Sequence, residues 1–126
     1  MLFFLAHLLV TTVLVVATLW TGRKGRRRQH YFVAVAAVLS LLLTVREAGL
    51  YGKGFSFDST RLSVHLVFAG LCMAAIPGLI YSGLKLRKNM HARPLHQRWI
   101  LFFMLMLLAT FSTAGWMFMS ATALDA

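Results

Sequence analysis

Four long apolar runs, broken by two loops that carry five positive charges each, leave this chain few ways to fold. The first loop holds Arg23, Lys24, Arg26, Arg27 and Arg28, and the second holds Lys85, Arg87, Lys88, Arg93 and Arg98. The runs cover about 2–20, 31–50, 62–84 and 99–120, each close to the ~20 residues a helix needs to cross a hydrocarbon core. Backbone amides cannot be left unpaired in lipid, so each run must be a helix. With short connections, the pattern predicts an all-α fold: an integral membrane four-helix up-down bundle, forming a single domain over residues 1–126. Cytoplasmic retention of basic loops then sets both loops inside a bacterial cytoplasmic membrane and both N- and C-termini on the outer side. The N-terminal run has no basic residue before it, the reverse of a secretory leader, and reads as a retained helix.

Composition excludes the obvious alternatives. Of 126 residues, 60% are hydrophobic and three are acidic: Glu47, Asp58 and Asp125. A soluble domain of this size cannot bury that much apolar surface, so the lipid bilayer is part of the solvent. The net charge of +10 resides in the two basic loops, because Arg46, Lys53 and Arg61 offset the three acids. That charge is a topology signal with affinity for anionic headgroups, and nucleic acid is not expected as a partner. A single cysteine, Cys72, lies within an apolar run. It allows no internal disulfide and no cysteine-based haem attachment, and reads as a small buried hydrophobe. No internal repeat is evident.

The connections carry local signals. Asp58, Ser59 or Thr60 could cap the third helix, and Pro94 marks the start of the fourth. Trp20, Tyr31, Tyr51, Tyr81, Trp99 and Trp116 fall towards run ends, where interfacial aromatics are expected. In the third run Ala69, Gly70, Ala74, Ala75, Gly78 and Gly83 thin one side and Pro77 should kink the helix. Small residues of this kind permit close helix packing or leave room for a flat macrocycle.

Four histidines are the candidates for chemistry. In the expected topology His7 and His65 lie at one depth near the outer face, and His30 and His96 lie near the inner face. An ionisable side chain in a membrane segment is costly without a partner and is a functional candidate, and neutral imidazole is a common metal and haem ligand. Against this stands a plain interhelical hydrogen bond to a nearby Ser or Thr, or, for His30 and His96, a solvated place beside arginines. His91 reads as loop and competes with His96. Arg46 and Glu47 form either a membrane-edge ion pair or a pair in which Glu47 handles a proton. Arg46 or Arg61 could hold a haem propionate or another anion. Met104, Met106, Met117 and Met119 hint at soft-metal binding, but their spacing is loose and ordinary lipid-facing or packing methionine is the plainer account. No nucleophile–base set, phosphate loop or carboxylate pair is present.

Several of these residues resemble two small membrane families. Arg28–Gln29–His30, Ser63–Val64–His65 and His96–Gln97–Arg98–Trp99, with Thr113–Ala114–Gly115–Trp116 in the last helix, are similar to an uncharacterised bacterial four-helix family that includes a factor for haem–copper oxidase maturation. His7, His30–Tyr31, His65–Leu66 and Leu95–His96 resemble a cyanobacterial and plastid set related to the transmembrane ascorbate-dependent cytochromes b. The second resemblance implies one histidine per helix, with helix one paired to three and two to four. His7 departs from both patterns, being so near the N-terminus.

The expectation is a b-type cytochrome-like electron-transfer protein or redox subunit holding one or two b haems. His7 with His65, and His30 with His96, would be the iron ligands. A quinol or other small reductant, and the subunits of a membrane complex, would be its partners. The rival expectation, from another class, is a haem-free accessory or assembly subunit of a respiratory or photosynthetic complex. Copper delivery through His and Met is a third.

Overall fold

A computed structural model describes residues 2–124; Asp125, one of the three acidic residues, lies outside the described residues. The chain forms four helices, α1 (Leu2–Arg23), α2 (Arg27–Gly52), α3 (Ser59–Lys88) and α4 (Arg93–Phe118). A 3₁₀ turn, Met90–Ala92, precedes α4, and two-residue extended segments lie at Phe55–Ser56 and Thr122–Ala123. All four helices are long and apolar enough to cross a membrane.

The helices start and stop differently from the apolar runs. The first basic loop shrinks to Lys24–Gly25–Arg26, with Gly25 at φ +67° making the reversal. Arg and Lys are good helix formers, so the helix continues after hydrophobicity ends. Arg23 then lies in the last turn of α1, and Lys85, Arg87 and Lys88 in the last turn of α3. There they complement the negative end of each helix dipole. Asp58 is the α3 cap, its carboxylate accepting from the Arg61 backbone N–H at 3.0 Å. Pro94 occupies the first turn of α4, where its missing N–H costs nothing. Helix α3 runs unbroken through Pro77.

Two compact units emerge, Met1–Phe55 and Ser56–Ala126. The first is the hairpin α1–α2. Thr11 meets Ser40 and Thr44, while Thr21, farther along α1, meets His30 near the start of α2, so the helices are antiparallel. The Thr11 hydroxyl lies 2.7 Å from those of both Ser40 and Thr44, and all three residues are buried. Towards the loop-distant end Phe4 stacks on Tyr51, with ring centroids 5.6 Å apart.

The second unit is the hairpin α3–α4, again antiparallel by its contacts: His65 with Thr113, Ser82 with His96. Its core includes Cys72, Ala75 and Ile76 from α3 and Phe103 and Met117 from α4. The small residues of α3 do not line one side, as the sequence suggested. Gly70 and Ala74 are exposed, whereas Ala75 is buried and Gly78 meets α4. A Cβ on Gly78 would lie 2.5 Å from the Trp99 ring, so the space that glycine opens is filled by indole. Trp99 is therefore a packing residue one turn and a half into α4 as well as an interfacial aromatic.

Two substitutions separate close packing from open surface. Gly78→Ala should destabilise the fold by about 1–3 kcal/mol, the usual cost of overpacking, whereas Gly49→Ala, with no atom within 4 Å of the new Cβ, should be neutral or mildly stabilising. Unfolding in mixed micelles by increasing dodecyl sulfate measures both. Thr11→Val, which removes one hydroxyl from a buried trio, should cost about 1 kcal/mol in the same assay.

Candidate histidine ligand sites

His7, His30, His65 and His96 are each half-buried on a helix, and in all four the Nδ1 atom is engaged. The partners in the first hairpin decide which ring nitrogen carries the proton. His7 Nδ1 lies 2.9 Å from the Phe3 carbonyl one turn earlier in α1. His30 Nδ1 lies 3.0 Å from the Thr18 carbonyl, across the hairpin. A carbonyl oxygen only accepts, so both imidazoles are protonated at Nδ1.

Hydroxyl partners serve either tautomer in the second hairpin. His65 Nδ1 is 3.3 Å from Thr113 Oγ1, a hydroxyl also within reach of the Ala109 and Thr110 carbonyls at 2.8 and 3.1 Å. His96 Nδ1 is 2.9 Å from Ser82 Oγ, which lies 3.2 Å from the Leu79 carbonyl. A hydroxyl donates or accepts, so these contacts orient the rings while the carbonyls of the first hairpin also set the proton. In a neutral imidazole protonated at Nδ1, the lone pair resides on Nε2. A histidine that ligates a metal through one nitrogen commonly donates the other N–H to such an acceptor. The interhelical hydrogen bond and the ligand role, alternatives from the sequence, thus use different nitrogens of the same ring.

His30 and His96 share a local arrangement that the sequence reading missed. In the first hairpin Trp20–Thr21–Gly22 ends α1 near the His30 ring, with Thr21 Oγ1 at 3.5 Å from Nδ1. A Cβ on Gly22 would lie 3.2 Å from that ring. In the second hairpin Tyr81–Ser82–Gly83 does the same for His96, with 3.5 Å from a Gly83 Cβ to the ring. Each hairpin thus has an aromatic–hydroxyl–glycine triplet late in one helix, and the next helix delivers a histidine onto it. The hydroxyl lies against the ring in both, and Gly22 gives His30 room that a Cβ would narrow, whereas a Cβ at Gly83 would make ordinary contact with His96. The signal was present as two similar triplets ahead of the two basic loops, each followed by a histidine near the start of the next helix.

The remaining candidates fall elsewhere. Arg46 and Glu47 form an ion pair at 2.8 Å, with the arginine side chain 67% exposed and that of glutamate 24%. Arg61 donates to the Trp116 carbonyl at 3.2 Å, and its guanidinium lies 5.2 Å from the Trp116 ring centroid. It satisfies a carbonyl in the last turn of α4, a structural task. His91 is exposed in the 3₁₀ turn, its backbone N–H held by the Asn89 side chain at 2.9 Å. Met117 is buried and Met119 is exposed beyond α4. Cys72 is buried and free. Among the described residues, no three His, Cys, Asp or Glu side chains gather into a metal-binding group.

Comparison of the chain with protein-family models, with curated proteins and with solved structures found no match. The family resemblances rest on the short motifs alone.

Removing the Ser82 hydroxyl tests the triplet. Ser82→Ala takes the hydroxyl partner from His96 Nδ1 and should cost about 1 kcal/mol in micellar unfolding. Ser82→Thr retains the hydroxyl and should recover part of that loss. Equal stability of the alanine variant and the native chain would mean the hydrogen bond holds nothing.

Proposed function

We propose that the chain is a membrane-embedded b-type cytochrome-like electron carrier whose histidines ligate haem iron through Nε2. The observation that supports this reading is the engagement of Nδ1 of His7, His30, His65 and His96, each by a protein oxygen, which turns Nε2 to the other edge of the ring. Imidazoles in apolar helices oriented in this way fit the donor chemistry of a bis-histidine centre.

Two histidines per iron would leave no open coordination position, and a haem so held supplies one-electron transfer. The protein's part is to hold the imidazoles neutral and oriented, and to exclude water from their apolar surroundings. The loop arginines are the cations near helix ends that could meet haem propionates. Arg46 and Arg61 serve that role less well, because Arg46 is paired with Glu47 and the Arg61 guanidinium is engaged by Trp116. In the proposed topology the four helices form one bundle in a bacterial cytoplasmic membrane, the basic loops are cytoplasmic by the positive-inside rule, and the termini are outside. A quinol or small reductant would donate electrons, and a membrane complex would accept them.

The test is the visible spectrum of the full chain purified in mild detergent from haem-replete cells, oxidised and then reduced with dithionite. Sharp reduced b-type bands are expected, with His65→Ala lowering haem content at least twofold and His91→Ala leaving it unchanged. A flat spectrum from the native chain would remove the electron-carrier reading and favour the haem-free accessory subunit.

A further inference from the structure

The basic end of α3 carries a surface that neither the helix packing nor the histidines use. A shallow, open depression of about 270 Å³ there is lined by Tyr81, Leu84, Lys85 and Lys88. These positions recur at three- and four-residue spacing and so lie along one helix face. Tyr81 is 61% exposed and Leu84 53%, so a ring and an isobutyl group face outwards beside two ammonium groups. Lys85 Nζ lies 5.9 Å from the Tyr81 ring centroid, which draws the ammonium over the apolar part of the surface.

Among the described residues, no acidic side chain forms an ion pair with Lys85 or Lys88. The chain has thirteen Lys and Arg against three acidic residues. Glu47 is paired with Arg46, and Asp58 caps the opposite end of α3. An external anion is therefore the natural counter-charge. The order of groups along the helix says which kind. Tyr81 and Leu84 lie nearer the centre of a helix apolar enough to cross a membrane, while Lys88 ends it. A ligand that fits presents hydrocarbon towards the helix centre and negative charge at its terminus. A soluble phosphate supplies only the second.

We propose that this surface is a binding site for one anionic phospholipid, with Lys85 and Lys88 holding the phosphate and Tyr81 and Leu84 contacting the glycerol and the first methylenes of an acyl chain. Lysine is a compact point charge suited to phosphate. Zwitterionic lipid fits less well, because its own ammonium is repelled by the same cluster. The site places the end of α3 at the headgroup level and so fixes the depth of the second hairpin in the bilayer. It does not depend on whether the histidines bind haem.

Native mass spectrometry of the full chain in detergent, titrated with phosphatidylglycerol or phosphatidylcholine, tests the proposal. The native chain should bind phosphatidylglycerol in preference. The double variant Lys85→Gln with Lys88→Gln should bind it about 25-fold more weakly, about fivefold for each ammonium removed. A charge-matched control, Lys24→Gln with Arg28→Gln, should bind nearly as the native chain does. An equal loss in both double variants would overturn the site in favour of diffuse attraction, and equal binding of the two lipids would overturn it outright. Glycerophosphoglycerol, which has the same singly charged phosphodiester headgroup without acyl chains, should bind at least tenfold more weakly than the lipid. Equal binding would show a phosphate site and not a lipid one.

Discussion

In hydrocarbon there is no water to complete the hydrogen bonding of a side chain, and every polar group within a spanning helix must find its partner in the protein. Among the described residues, every buried side-chain nitrogen and oxygen has one. Threonines and serines turn back onto carbonyls of their own helix, as Thr12 does to Leu8 and Thr110 to Met106. Where two helices meet, the same hydroxyls reach across. Thr11 joins Ser40 and Thr44 in one hairpin, and Ser82 meets His96 in the other. The apolar packing between α3 and α4 joins Cys72, Ala75 and Ile76 to Phe103 and Met117, with the Trp99 indole against Gly78. Polar contacts of this kind set the register of each pair.

That constraint determines what the histidines can do. A neutral imidazole has one donor and one acceptor, and committing the donor to a fixed carbonyl or hydroxyl leaves the lone pair on the opposite side of the ring. In the first hairpin the acceptors at His7 and His30 are backbone carbonyls, which no side-chain substitution removes. In the second, the partners of His65 and His96 are the hydroxyls of Thr113 and Ser82.

The sequence carried most of the architecture and less of the site. Hydrophobicity located all four helices, because a run of ~20 apolar residues has little else to become. It misplaced their ends, since Arg27, Arg28 and Lys85–Lys88 are polar yet good helix formers that continue the backbone hydrogen bonding past the apolar stretch. Asp58 was legible as a cap because capping is local. The partners of the histidines were not: Thr18 is twelve residues from His30, and Thr113 forty-eight from His65. Which hydroxyl meets which ring depends on the hairpin register, and composition does not encode it. Of the two uses the sequence allowed for the small residues of α3, Gly78 shows close packing, and only the fold reveals that Trp99 is its partner.

The most direct test of the central claim is the tautomer of each imidazole. Solid-state ¹⁵N NMR of the haem-free chain in lipid, with ring-labelled histidine and single His→Gln variants for assignment, reads it nitrogen by nitrogen. The expected result is protonated Nδ1 and unprotonated Nε2 at His7, His30, His65 and His96. Protonated Nε2 at these positions would contradict it, because the ring nitrogens proposed to reach iron would then carry hydrogen.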